Sequence, residues 1–174
     1  MITRRLFLSA ACAAPLLSLP ACDGKTASRF ASLAEAQAAL DRLQTGGARQ
    51  AGPISVHQML VHCRQSLDYG LAGFPALKPD WFRASIGPAA AQAFLWQGRM
   101  YHDLADPIPG APEIAAEGDL PAAFAAIRES IAAFETAVKT GRPLQPHFAY
   151  GDVAPADYAR LQAFHIAQHV DAVT

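Results

Sequence analysis

The chain predicts an all-α fold, a four-helix bundle, on three observations. Four segments carry apolar residues at helical spacing, each opens on a recognisable start signal, and nowhere does period-two alternation run long enough for a strand. The first helix starts at Ser32, which forms a capping box with Glu35; Leu33, Ala36, Leu40 and Leu43 follow before Gly46-Gly47 stops it. The second starts at Ser55, again with a capping-box partner in Gln58, and runs to about Leu71 with Val56, Leu60, Cys63, Leu67 and Leu71 as its apolar stripe. The third follows Asp119, has Pro121 in its first turn, repeats Leu120, Phe124, Ile127, Ile131, Phe134 and Val138, and ends at Gly141. The fourth starts near Ala154-Pro155 and runs to the end. Facing side chains of such a bundle are where sites are built.

Between the second and third helices lie about fifty residues rich in Pro and Gly, with room for one or two short helices around Pro79 to Phe82 and Pro88 to Trp96. A connector of this length permits a crossover. Its segments Met100 to Asp103 and Asp106 to Pro112 are placed to cover one end of the bundle as a lid.

The N-terminus reads as a targeting segment. Thr3-Arg4-Arg5-Leu6-Phe7-Leu8 leads into a charge-free apolar run ending at Leu19, too short to span a bilayer, and Leu19-Pro20-Ala21-Cys22 follows. The first string resembles a twin-arginine export signal and the second resembles the lipobox of bacterial lipoproteins. The resemblance implies a signal over 1–21, a lipid-anchored tether over 22–30 beginning at Cys22, and a domain over 31–174. Asp23 resembles an inner-membrane retention signal, which implies the periplasmic face of the inner membrane. An ordinary secretory signal with Cys22 unmodified is the alternative.

Without Arg4 and Arg5, 12 basic residues face 15 acidic ones, a net charge of about −3 with no basic cluster, which argues against nucleic-acid binding. About 150 residues make one domain with a substantial core. Of the cysteines, Cys12 lies in the signal and Cys22 at the lipid site, so Cys63 has no intrachain disulfide partner and reads as a buried apolar thiol.

The candidate chemistry rests on histidine. His165 and His169 in H-I-A-Q-H lie one turn apart on a face shared with Tyr158, Leu161 and Ala172, so both look inward. Polar groups on a packing face need partners, and a divalent metal is one; a carbonyl or carboxylate bonded to a neutral imidazole is another. No glutamate follows His165, so this is no H-E-x-x-H motif. On the second helix His57 lies with Arg64 and Asp68 on the charged side and is expected to be solvated. His62 lies in a semi-polar row with Gln58, Met59, Gln65, Ser66 and Tyr69, which suits the wall of a cleft and makes it the better third ligand. Three nitrogens with one open position is the arrangement of a catalytic metal site. His147 and Tyr150, in the loop P-H-F-A-Y-G, are candidates for acid-base work or substrate contact at the bundle's mouth. His102 could reach the same cleft, with Asp103 to orient it. No Ser-His-Asp set, phosphate loop or paired carboxylates are legible.

The strings Gln58 to Tyr69, Gly73-Phe74-Pro75, Pro107 to Pro112, Pro146 to Gly151 and the final H-I-A-Q-H resemble an uncharacterised family within the DinB-like superfamily of four-helix, metal-binding proteins, over most of the chain after Leu33. The resemblance implies zinc or nickel held by His62, His165 and His169. It also implies a small-molecule substrate, a low-molecular-weight thiol being one candidate, and a thiol-dependent transferase or isomerase; a metal that acidifies bound water fits a metal-dependent hydrolase equally, and a non-catalytic metal-binding or partner-docking lipoprotein is the contrasting class. A pocket lined by His147 or Tyr150 beside an open metal position would favour catalysis, and a fourth protein ligand a closed site. Because the chain stops soon after His169, the last helix is expected to fray near that residue.

If Cys22 carries lipid, Cys22→Ser moves the mature protein from the membrane fraction to the soluble fraction. Fractionation together with the intact mass of the wild-type protein checks this.

Overall fold

The computed structural model describes residues 30–47 and 50–173. The signal, Cys12, Cys22, Asp23 and most of the expected tether lie outside the described residues. Phe30, the last residue of that tether, already packs in the core. The elements run α1 (Leu33–Gly46), β1 (Gln50–Ala51), β2 (Ile54–Ser55), α2 (Val56–Ala72), α3 (Asp80–Ala84), α4 (Ile86–Gln97), α5 (Leu120–Thr140) and α6 (Pro155–Asp171). The protein is mostly helical. The expected count of four covers α1, α2, α5 and α6; the connector adds α3 and α4, where short helices were expected. The two strands form an antiparallel hairpin pairing Gln50 with Ser55 and Ala51 with Ile54, each too short for alternation to announce it.

Local chemistry sets the helix ends. At α2 the capping box is complete: Gln58 N donates to Ser55 Oγ at 3.1 Å and Ser55 N donates to Gln58 Oε1 at 3.0 Å. At α1 only half forms, because Glu35 N donates to Ser32 Oγ while the Glu35 carboxylate accepts from Ala31 N. Asp119 caps α5 by accepting from Ala122 N at 3.0 Å. Gly141 ends that helix in the left-handed conformation, at φ 72°.

Packing joins α2 to α5 and sets α6 against α1, α2, α4 and α5. Leu33, Leu40, Met59, Leu60, Leu67, Ile127, Ile131, Phe134 and Ile166 fill the shared core, with Cys63 among them as expected. The inward stripe expected for the last helix understates its burial. Every residue from Leu161 to Ala167 is buried, because α4 covers the side a four-helix arrangement leaves to water. Nor does its end lack anchorage. Gly52 N donates to Ala172 O at 2.9 Å and Ala51 bridges to Val173, so the hairpin holds the turn after His169 that was expected to fray.

The first turn of α4 packs on the loop between α5 and α6 at Gly87. A Cβ there would land on the Ala149 carbonyl, a backbone atom with little freedom to yield. Gly87→Ala is therefore expected to lower stability by about 1–3 kcal/mol, the range for overpacking, although alanine is the better helix former. Urea unfolding measures the difference.

Candidate metal centre

Two reciprocal hydrogen bonds fix α6 against α2. Ser66 Oγ donates to Gln162 Oε1 at 3.0 Å, and Gln162 Nε2 donates back to the Ser66 carbonyl at 3.2 Å, both in the buried interior. His62 lies one turn before Ser66 and His165 one turn after Gln162, so this brace brings their rings together, Nε2 to Nε2 at 3.1 Å. His169 adds a third ring from the next turn of α6, and the connector delivers His102. One nitrogen from each of His62, His102, His165 and His169 lies within 4.8 Å of the others. The row expected to line a half-polar flank of the second helix is deeper than its composition suggests: Met59, His62 and Ser66 are all buried, because α6 covers them.

All four rings are uncharged at neutral pH. Burial, reinforced by His102, pushes His62 down to about 4; burial, with His62 and His102, pushes His169 down to about 2. His165 is driven well below the ordinary range by burial and by its neighbouring rings. Burial also lowers His102, against the opposing pull of the Asp103 carbonyl and the Asp106 and Asp103 charges. Each ring therefore keeps a lone pair available, the form in which histidine ligates a metal.

An interhelical hydrogen bond between His62 and His165 fits their 3.1 Å contact but leaves other nitrogens unexplained. His102 Nε2 and both nitrogens of His169 are buried without a partner, an unfavourable arrangement unless something binds them. A divalent ion between the rings supplies that partner. At zinc-nitrogen distances of about 2.0–2.1 Å, two ligand nitrogens of a tetrahedral site stand about 3.3–3.4 Å apart, close to the His62–His165 contact. The donor set fits the ion, since imidazole suits zinc and nickel.

A pocket of about 130 Å³ adjoins the cluster, lined by His62, His102 and His165 together with His147, Tyr150 and Tyr158. Met100, Ile108, Phe148 and Leu161 make its apolar walls and Asp106 contributes the one charged side chain. The connector thus covers the site as expected, through Met100, His102, Asp106 and Ile108. The loop carrying His147 is tied down on both flanks: Gln145 N donates to the Gly70 carbonyl at 2.8 Å, and His147 and Gly151 exchange backbone bonds at 2.9 and 3.1 Å. The His147 ring lies flat on Tyr150, with centroids 4.1 Å apart and planes at 8°, and also packs on Phe148.

The hydrogen bonds of His147 define its chemistry. Its Nδ1 accepts from Ala149 N at 3.1 Å and Tyr150 N at 3.2 Å, so the proton of the neutral ring sits on Nε2. Burial lowers its pKa to about 3. His147 at neutral pH is then an N–H donor with no free lone pair, suited to substrate contact and unsuited to the work of a base. Tyr150, raised to about 12 by burial, keeps its hydroxyl proton, and burial raises Tyr158 as well. The Tyr158 hydroxyl is buried without a partner.

Two expectations need correction. His57 is only partly solvated: its Nδ1 meets the Ala115 carbonyl at 3.0 Å and Gly118 packs against its ring, because the connector folds over the charged side of α2. Asp103 orients His102, but through its main-chain carbonyl, which accepts from Nδ1 at 2.8 Å; its carboxylate accepts from Ala105 N instead. The sequence assigned no role to Gln162 or Gln168, and placed Ser66 only in the semi-polar row beside His62. Polar residues one turn from each histidine were the available signal, yet only the packing of α6 shows which of them meet.

Fold and site together define a mostly helical protein with a buried histidine cluster opening on a small pocket. The chain belongs to the family described as "Protein of unknown function (DUF1569)", which matches residues 24–174. No curated protein and no solved structure matches it.

The depressed His147 pKa has a consequence for acid stability. A ring near 3 when folded and near 6.5 when unfolded contributes stability that is fully present above about pH 6.5 and is lost as the pH falls toward 3. His147→Asn, whose amide oxygen can replace Nδ1, is expected to flatten the fall by up to about 1.4 kcal/mol per pH unit across that window. Urea unfolding of the metal-free protein at a series of pH values checks it.

Proposed function

We propose that this protein is an exported, lipid-anchored, DinB-like metalloenzyme. His62, His165 and His169 hold zinc or nickel beside a pocket where His147 and Tyr150 contact a small-molecule substrate. The observation that carries the reading is the set of unpartnered buried nitrogens, His102 Nε2 and both of His169, in a cluster whose His62, His102 and His165 line that pocket. When bound, the ion supplies Lewis acidity and acidifies a coordinated water or thiol. No carboxylate belongs to the cluster, so four neutral rings would leave the ion's positive charge undiminished.

The chain's own groups do the rest. His147 Nε2–H and the Tyr150 hydroxyl are neutral donors suited to holding an acceptor oxygen of the substrate. Met100, Ile108, Phe148 and Leu161 keep water out and strengthen those bonds. Between a thiol-dependent transferase and a metal-dependent hydrolase, the lining favours the hydrolase. It contains no Lys or Arg to hold the carboxylates that low-molecular-weight thiols commonly carry, and its charged side chain is an acid, Asp106. One observation favours a non-catalytic metal-binding protein instead: the fourth histidine, which would close the coordination of a tetrahedral ion.

Metal loading tests the reading through stability. An ion bound only by the folded state stabilises it by about 4 kcal/mol at a thousandfold excess over its dissociation constant, or roughly 10 °C in Tm for a domain of this size. Chelator should lower the wild-type Tm by that order. His62→Ala, His165→Ala and His169→Ala should each lose most of the metal on dialysis and show little response to chelator. Wild type without metal, and with a Tm indifferent to chelator, zinc and nickel, overturns the proposal.

A further inference from the structure

The motif H-I-A-Q-H contains one residue the site has not yet used. Gln168 stands beside His169, and its side-chain amide grips the main chain of a residue far away in sequence. His102 N donates to Gln168 Oε1 at 3.1 Å, and Gln168 Nε2 donates to the His102 carbonyl at 2.7 Å. A primary amide is the side chain that can answer both groups of one residue at once, as a neighbouring strand would. The grip fixes the His102 backbone, from which its ring projects into the cluster. The ring is then set by the Asp103 carbonyl, which accepts from Nδ1 at 2.8 Å and so leaves the lone pair on Nε2. That nitrogen is buried, has no partner and points among the other three rings.

We propose that His102 is a fourth protein ligand of the metal and that Gln168 is the positioning residue that presents it, so that metal binding latches the connector over the pocket. The proposal rests on the metal reading above and extends it. H-I-A-Q-H then supplies two ligands directly and a third through its glutamine. Met100, Asp106 and Ile108, on either side of His102 in the connector, become the metal-dependent roof of the pocket. The ion decides how open the site is. Four imidazoles fill a tetrahedral zinc, whereas a tetragonal nickel keeps two positions for water or substrate.

The experiment loads the purified protein with nickel(II) alone. It counts coordinated imidazoles by X-ray absorption, measures affinity by competition with a chelator, and follows tryptic cleavage after Arg99 in the connector. Wild type should show four imidazoles, and nickel should slow the cleavage. His102→Ala should still bind one ion, because the three helix-borne rings remain preorganised, but with three imidazoles, weaker affinity and no protection at Arg99. Gln168→Ala should weaken binding by about 10–100-fold, the range for partners that orient a ligand. The double variant His102→Ala/Gln168→Ala should bind no more weakly than His102→Ala, because the glutamine acts through that ring; a purely structural role would add its own loss. Gln168→Glu, which keeps an acceptor for His102 N, should fall between wild type and Gln168→Ala. Wild-type imidazole count and affinity in His102→Ala, wild-type binding by both Gln168 variants, or additive losses in the double variant overturn the latch and leave the three-histidine site standing. Absence of nickel from wild type overturns both.

Discussion

An imidazole taken out of water keeps its place only if it is uncharged and its nitrogens find partners. Here three buried rings and the half-buried His102 stand against one another, with no carboxylate among them. That concentration of polar nitrogen governs what surrounds it. Helix α6 runs through the interior covered by four others, α2 turns His62 toward it, and the connector folds back to bring His102. A hydrogen bond between His62 and His165 satisfies one pair and leaves His102 Nε2 and both His169 nitrogens without a partner among the described residues.

Three short-range devices hold the rings where they meet. Ser66 and Gln162 lock the register of α2 against α6 within a turn of His62 and His165. Gln168 holds the connector to the far end of the same helix. The hairpin at Gly52 closes over the residues after His169. Each device uses groups that stay neutral, which suits a site where a buried charge would be far more costly than a buried amide. Under the proposed metal reading the glutamines would do for the histidines what outer partners do at metal sites generally, removing freedom before an ion arrives.

The pocket carries the same electrostatic signature. Its polar groups include Ser66 and Gln162, His147, a neutral donor through Nε2, and two tyrosines whose protons burial retains. Asp106 is the charged side chain at its wall, and no Lys or Arg lines it, so any positive charge met there would be that of the proposed ion.

The sequence alone determined the helices and three of the clustered histidines. Caps and apolar periodicity are local: Ser55 with Gln58, Asp119 with Pro121 and the stripe from Leu120 to Val138 act within a few residues, so α2 and α5 begin and end where those signals place them. The i, i+4 spacing of His165 and His169 is equally local, and the flank of α2 distinguished His62 from His57. What it could not determine is which distant groups meet. His102 sits in a stretch without periodicity, and its arrival depends on an amide of Gln168, 66 positions away; the partial cover of His57 depends on the path of the same connector. Such contacts are selected by the packing of whole elements, whose free energy is spread over many side chains. They became visible only once α6 was seen enclosed by its neighbours and the connector lay across its end.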